Sequence, residues 1–184
     1  MKRRDIEQQL LHDWDWFLDF GSALDDEILA YEVTPDGHDP SIWWTVKDHI
    51  VHVYAISRRA NDLVKGLAAG AGGYNIDFDA PVEELMKRVD ETTHAVMVEH
   101  RDHTWSEVIA LGQRTKAERL ELLASLTDEQ LETPAPPPYG QMDGGDGTLG
   151  NLLISDGRHQ RMHLMWVMKG LVACGEHGRH KQPA

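Results

Sequence analysis

Two histidines one helical turn apart, His159 and His163, stand in the middle of the last long apolar stretch of the chain, Leu149 to Cys174. An i,i+4 pair puts both imidazoles on one face of a helix. That face is the wrong one for polar groups. Leu149, Leu152, Trp166, Gly170 and Cys174 repeat at helical spacing and predict a buried stripe, and the same stripe passes through Asp156, His159 and His163. Burying such groups without partners costs roughly 1–3 kcal/mol each, so something must satisfy them. A divalent metal ion is one candidate. Imidazole nitrogen is a ligand for several divalent ions, and a catalytic zinc site takes three protein ligands and keeps one position open. An HxxxH pair alone is a weak signal in a chain with 11 histidines. A third ligand has to come from another element.

The second helix is the element best placed to supply it. Thr45 and Asp48 form a pair resembling a capping box that predicts its start, with the carboxylate at the positive end of the helix dipole. Trp44 and His49 occupy the two staple positions, so His49 reads as a packing partner of Trp44. His52, Val53, Ile56, Ala60, Leu63 and Leu67 form the buried stripe. His52 is therefore a histidine facing the core and the candidate third ligand. Asp156, one turn before His159, is expected to orient an imidazole from behind; a helix-start carboxylate is the plainer reading.

The other segments build the frame. Ile6, Leu10, Trp14, Phe17, Gly21, Leu24 and Ile28 are the seam of a first amphipathic helix that ends or bends near Ala23. Thr34 to Pro40 carries two prolines and a glycine and reads as a loop. The glycine run Gly66 to Gly73 ends the second helix, and Tyr74 to Ala80 is an irregular link. Pro81 opens a helical stretch to about Arg101, with Leu85, Val89, Val96 and His100 on a weak face. The capping box Thr104 to Glu107 then restarts the chain as a long helix around a polar middle, Gln113 to Arg119. The pattern leaves open whether residues 81–126 are one bent helix or two. A capped turn, Thr127 to Leu131, leads into a loop rich in proline and glycine, Thr133 to Gly147. These elements predict an all-α fold, a four-helix bundle with long connecting loops. Its second and fourth helices are neighbours, the arrangement in which bundles build metal sites from facing helices.

A length of 184 residues suits a single domain over residues 1–184, with a mobile tail expected at 175–184. The net charge of -13 is spread along the chain and leaves no basic stripe, which argues against nucleic acid and anionic membranes as partners. No apolar run approaches the ~20 residues of a membrane span. The opening Met1-Lys2-Arg3-Arg4-Asp5 is not that of a signal peptide, and the single cysteine, Cys174, suits a reducing compartment. A cytoplasmic location is expected.

Trp44-Thr45-Val46, followed eight residues after the tryptophan by His52 and then the small apolar Val53, resembles the second-helix signature of the DinB/YfiT-like superfamily. Leu149 to His163 resembles the fourth-helix signature, whose HxxxH supplies two ligands, and Leu122 to Leu131 is similar to the end of the third helix. The resemblance covers the whole chain in order and spacing. It departs after His163, where Leu164-Met165 stands in place of the Gly-Gln common in the family, so the branch stays open.

The resemblance implies a metal-binding four-helix bundle with His52, His159 and His163 as ligands and Asp156 and His49 behind them. The ion implied is divalent, zinc or nickel first, iron or manganese next. It also implies an enzyme that activates water or a low-molecular-weight thiol on a small-molecule substrate. Family members include thiol-dependent transferases and isomerases that use mycothiol or bacillithiol, among them proteins like maleylpyruvate isomerase, and hydrolases of detoxification or stress response. A homodimer is expected. The alternative is a bundle without catalysis that binds a small hydrophobic ligand or dimerises. The fourth helix, apolar nearly all round from Met162 to Cys174, suits a central or interface helix either way.

Overall fold

The computed structural model describes residues 1–35, 42–70, 81–135 and 146–177; the side chains at 82, 85, 86, 89 and 174–177 lie outside that description. Helix α1 (Arg3–Ser22) buries Ile6, Leu10, Trp14, Phe17 and Gly21, the expected seam. The short α2 (Asp26–Leu29) follows, capped by Asp25, whose Oδ1 accepts from the Ile28 amide at 2.8 Å. The chain then forms a two-stranded antiparallel ribbon, β1 (Glu32–Pro35) with β2 (Trp43–Thr45), in which Thr34 lies opposite Trp44. This corrects the loop expected from residue 34: Thr34 and Pro35 are strand, and 36–41 lie outside the described residues. Four residues ending in proline are too short an alternation to read as a strand, and proline is tolerated at a strand end.

Helix α3 (Val46–Ala68) begins at the predicted capping box, with Thr45 N donating to Asp48 Oδ2 at 2.8 Å and Asp48 N to Thr45 Oγ1 at 3.1 Å. It is buried on most of its circumference, because α5, α4 and α8 lie against it on different sides. A single expected stripe therefore understated it. Tyr54, Ser57, Asn61 and Val64 are fully buried, whereas Ala60 and Leu67 are half-buried.

Residues 81–126 resolve into two helices, α4 (Val82–His100) and α5 (Trp105–Ser125). The break is made by the second capping box, where Thr104 N donates to Glu107 Oε2 at 2.7 Å. Helix α4 lies along α3. Its Val96 and His100 are buried as the weak face predicted, and Leu85 and Val89 lie outside the described side chains. The bundle proper consists of α1, α3, α5 and the last helical pair. After α6 (Asp128–Glu132), Pro134 bridges to Thr148, with Ala135 N donating to Gly147 O at 2.8 Å and Leu149 N to Thr133 O at 2.9 Å. Helices α7 (Leu149–Ile154) and α8 (Asp156–His177) complete the fold, which is all-α apart from the ribbon.

One continuous helix was expected from Leu149, and the structure breaks it at Ser155. Ser155 Oγ turns back to Leu152 O at 2.7 Å. Just past the break, Gly157 is pressed onto α1, where a Cβ would collide with the carboxylate of Asp13. Farther along, Gly170 lets β1 touch α8; a Cβ there would sit 2.6 Å from the carbonyl oxygen of Val33. Both glycines are contacts of helix backbone with a neighbour, and they fix where α8 lies. Helix α8 continues to His177, past residue 175 where a tail was expected, and 178–184 lie outside the described residues. No helix among the described residues is long and apolar enough to cross a membrane.

Candidate metal centre

The capping box fixes where α3 starts, and from it His49 and His52 emerge in the first two turns. The break at Ser155 fixes where α8 starts, and from it His159 and His163 emerge in its first two turns. The two helices pack together, and His52, His159 and His163 converge. Each offers one ring nitrogen, and the three nitrogens lie within 4.8 Å of one another. The ring centroids are 4.7 Å apart for His52–His163, 4.6 Å for His159–His163 and 5.1 Å for His52–His159. His52 and His163 are buried, and His159 is half-buried on the rim.

The fourth histidine stands behind this set. His49 Nδ1 lies 2.9 Å from His163 Nδ1, and His49 Nε2 lies 2.9 Å from Thr34 Oγ1 on β1. The two contacts are coupled through the tautomer. When His163 Nδ1–H donates to His49 Nδ1, His49 carries its proton on Nε2 and donates it to Thr34. His163 Nε2 then has a free lone pair, the form a ligand needs. The rings are clamped by tryptophan: Trp44 packs 5.2 Å from both His49 and His52 and 6.3 Å from His163. Trp166 closes the outer side, 4.8 Å from His163.

Burial disfavours the charged form of His49, His52 and His163. Burial lowers the His49 pKa to about 4. Burial, helped by the neighbouring His159 and His49, lowers that of His52 to about 3. His163 is pushed down as well, by burial first and then by the three surrounding imidazoles. Neutral imidazoles are ligands and cationic ones are not. The Nδ1 of His52 is also a buried nitrogen with no hydrogen-bond partner among the described residues, at a cost that coordination of the ring would relieve. The donor set and its spacing fit a divalent ion.

The sequence-predicted residues fall as follows. His52, His159 and His163 are brought together, and His49 is both the packing partner of Trp44 and a hydrogen-bond partner of His163. Asp156 is buried, but its Oδ2 lies 2.7 Å from Nη2 of Arg119 on α5, an ion pair in which no N–H points squarely at that oxygen. A guanidinium, not an imidazole, is what it meets. Trp166, read as core stripe, is 37% exposed at the edge of the site. The side chain of Cys174 lies outside the described residues. His100 is buried, and its Nδ1 lies 3.1 Å from that of His103 at the α4–α5 corner. Thr34 and Arg119 went unnoticed: the first sits in what read as loop, the second in what read as a polar middle. Arg119 had a signal, because Val108, Leu111, Thr115, Arg119 and Leu122 run at helical spacing.

Residues 9–167, which include all four clustered histidines, match the family model described as the DinB superfamily. No curated protein and no solved structure gives a significant match.

Proposed function

The chain belongs to the DinB superfamily, and from that premise we propose that it is a metal-dependent enzyme of thiol transfer or hydrolysis, with His52, His159 and His163 as the ligands. The observation that carries the reading is the convergence of three imidazole nitrogens within 4.8 Å. A divalent ion held by them, zinc or nickel by preference and iron or manganese as alternatives, supplies Lewis acidity that makes a nucleophile of water or a low-molecular-weight thiol near neutral pH. The chain's own residues do the rest. His49 and Thr34 hold His163 in the tautomer that offers Nε2. Trp44 excludes water from the buried side, which strengthens every electrostatic interaction there, and Trp166 covers the outer side. His159, on the rim, marks the side from which a small substrate enters. Detoxification or stress response in the cytoplasm is the setting such chemistry suits.

The test is a conjugation assay. Protein reloaded with zinc or nickel is expected to accelerate consumption of a low-molecular-weight thiol by an electrophile at least a hundredfold over protein stripped by a chelator. Equal rates for the two forms, with water and with thiol as nucleophile, would sink the enzymatic reading.

A second reading rests on α8. Met165, Met168 and Val172 share an outward face and are 49%, 51% and 57% exposed. Contiguous apolar surface on a helix marks an interaction site, and a homodimer through α8 would cover it whether or not the bundle is catalytic. Sedimentation equilibrium is expected to give twice the chain mass for wild type and the chain mass for Met168→Glu; a monomeric wild type overturns the dimer.

A further inference from the structure

The best-satisfied buried charge among the described residues is not at the histidine cluster. Arg119, 1% exposed on α5, spends its guanidinium on three other helices. Nε donates to Asn61 Oδ1 and Nη2 to Ser57 O at 2.9 Å, both on α3. Nη1 donates to Leu153 O at 2.6 Å, near the end of α7. Nη2 also pairs with Asp156, the first residue of α8, at 2.7 Å. Asn61 is itself held, its Nδ2 donating to Thr115 O at 3.2 Å. One planar fork thus binds the helix that carries His52 and both sides of the break from which His159 and His163 emerge.

Stability alone does not account for this arrangement, because a buried ion pair replaced by apolar residues of similar volume often leaves a protein as stable or more so. What an apolar replacement cannot reproduce is direction: the fork fixes the angle and register of each helix it touches. Register is what the cluster depends on. An α-helix turns about 100° per residue, so an offset of one residue at Ser155 would swing His159 and His163 off the face that meets His52. We propose that Arg119, with Asp156, is a positioning residue of the metal centre that holds the α7–α8 break in the register presenting the HxxxH pair to α3. This rests on the metal reading above and gives Asp156 its role: it acts on the site through the helix it begins.

The test uses cobalt(II) as the probe, with affinity read by competition against a chromophoric chelator and geometry by the visible d–d absorption. The double variant Arg119→Met/Asp156→Leu removes both charges together and is expected to keep a urea midpoint close to that of wild type. Its cobalt affinity is expected to fall at least tenfold, with altered d–d intensity. Asp156→Asn keeps the shape and loses the charge; a several-fold loss of affinity is expected, and it is the variant read if the double change does not fold. Wild-type affinity and spectrum in a folded variant overturn the clamp while leaving the metal reading intact. A wild type that takes up no cobalt overturns the metal reading and the role of Arg119 with it.

Discussion

His163→Ala is expected to reduce metal content from about one ion per chain to under a tenth, and to weaken zinc binding roughly a thousandfold or more, because two imidazoles remain where three converged. Elemental analysis of protein purified and dialysed in parallel with wild type is the measurement. His163 is the ring at the centre of the set: it lies against His52, His159, Trp44 and Trp166 and is hydrogen-bonded to His49. Its removal leaves a buried gap and strips His49 of a partner, so a loss of about 1–3 kcal/mol of stability accompanies the loss of metal. His159→Ala separates the two effects. That ring is half-buried on the rim, so its truncation is expected to release the metal as fully while costing less stability. His100→Ala, which removes a buried histidine of the α4–α5 corner instead, is expected to leave metal content unchanged. Undiminished metal in His163→Ala and His159→Ala alike would exclude the three-histidine centre.

The second large effect is acid lability of the metal-free protein. His49 and His52 have native pKa values lowered to about 4 and about 3 by burial, and in the unfolded chain they return to about 6.5. Between those values the unfolded state binds more protons than the native one, so stability rises with pH across the window and is lost as pH falls from about 6.5 toward 4. Each imidazole kept neutral at pH 5 costs on the order of 2 kcal/mol relative to pH 7. His163, shifted the same way, adds to this. Urea titrations of the stripped protein at pH 7 and pH 5 are expected to show a markedly lower midpoint at pH 5, and substitution of His49 by glutamine should shrink the difference. Equal midpoints at the two pH values would mean that the cluster is protonated or open in the native state.

How much of this was legible in the sequence follows from where each residue sits. The three-histidine set stood out because imidazoles on an apolar stripe violate the pattern around them, and the start of α3 was marked by a capping box whose partners are only three residues apart. Local signals of that kind survive folding. Three other features depended on neighbours distant in sequence. The break at Ser155 follows from the packing of Gly157 on Asp13 and from Arg119 on a different helix, so the Leu149–Cys174 periodicity alone reads as one rod. Thr34 gained its place in the site by pairing opposite Trp44 across a ribbon too short to show alternation. Asp156 was correctly placed on the buried face and given the wrong partner, since nothing in its own helix points to a guanidinium on α5.

The split of the clustered histidines between α3 and α8 has a consequence for the history of each molecule. Four helices of the described fold, α4, α5, α6 and α7, lie between them in the chain, which emerges from its N-terminus during synthesis. A nascent chain that has emerged only through α5 presents His49 and His52 but neither of their partners on α8, and holds no site able to capture an ion. Bringing the two helices together closes one of the longest loops in the molecule, an entropic cost that core packing has to offset before any coordination bond can contribute. An ion held by this set would therefore act on a topology already complete: it would slow departure from the native state and leave the rate of reaching it nearly untouched.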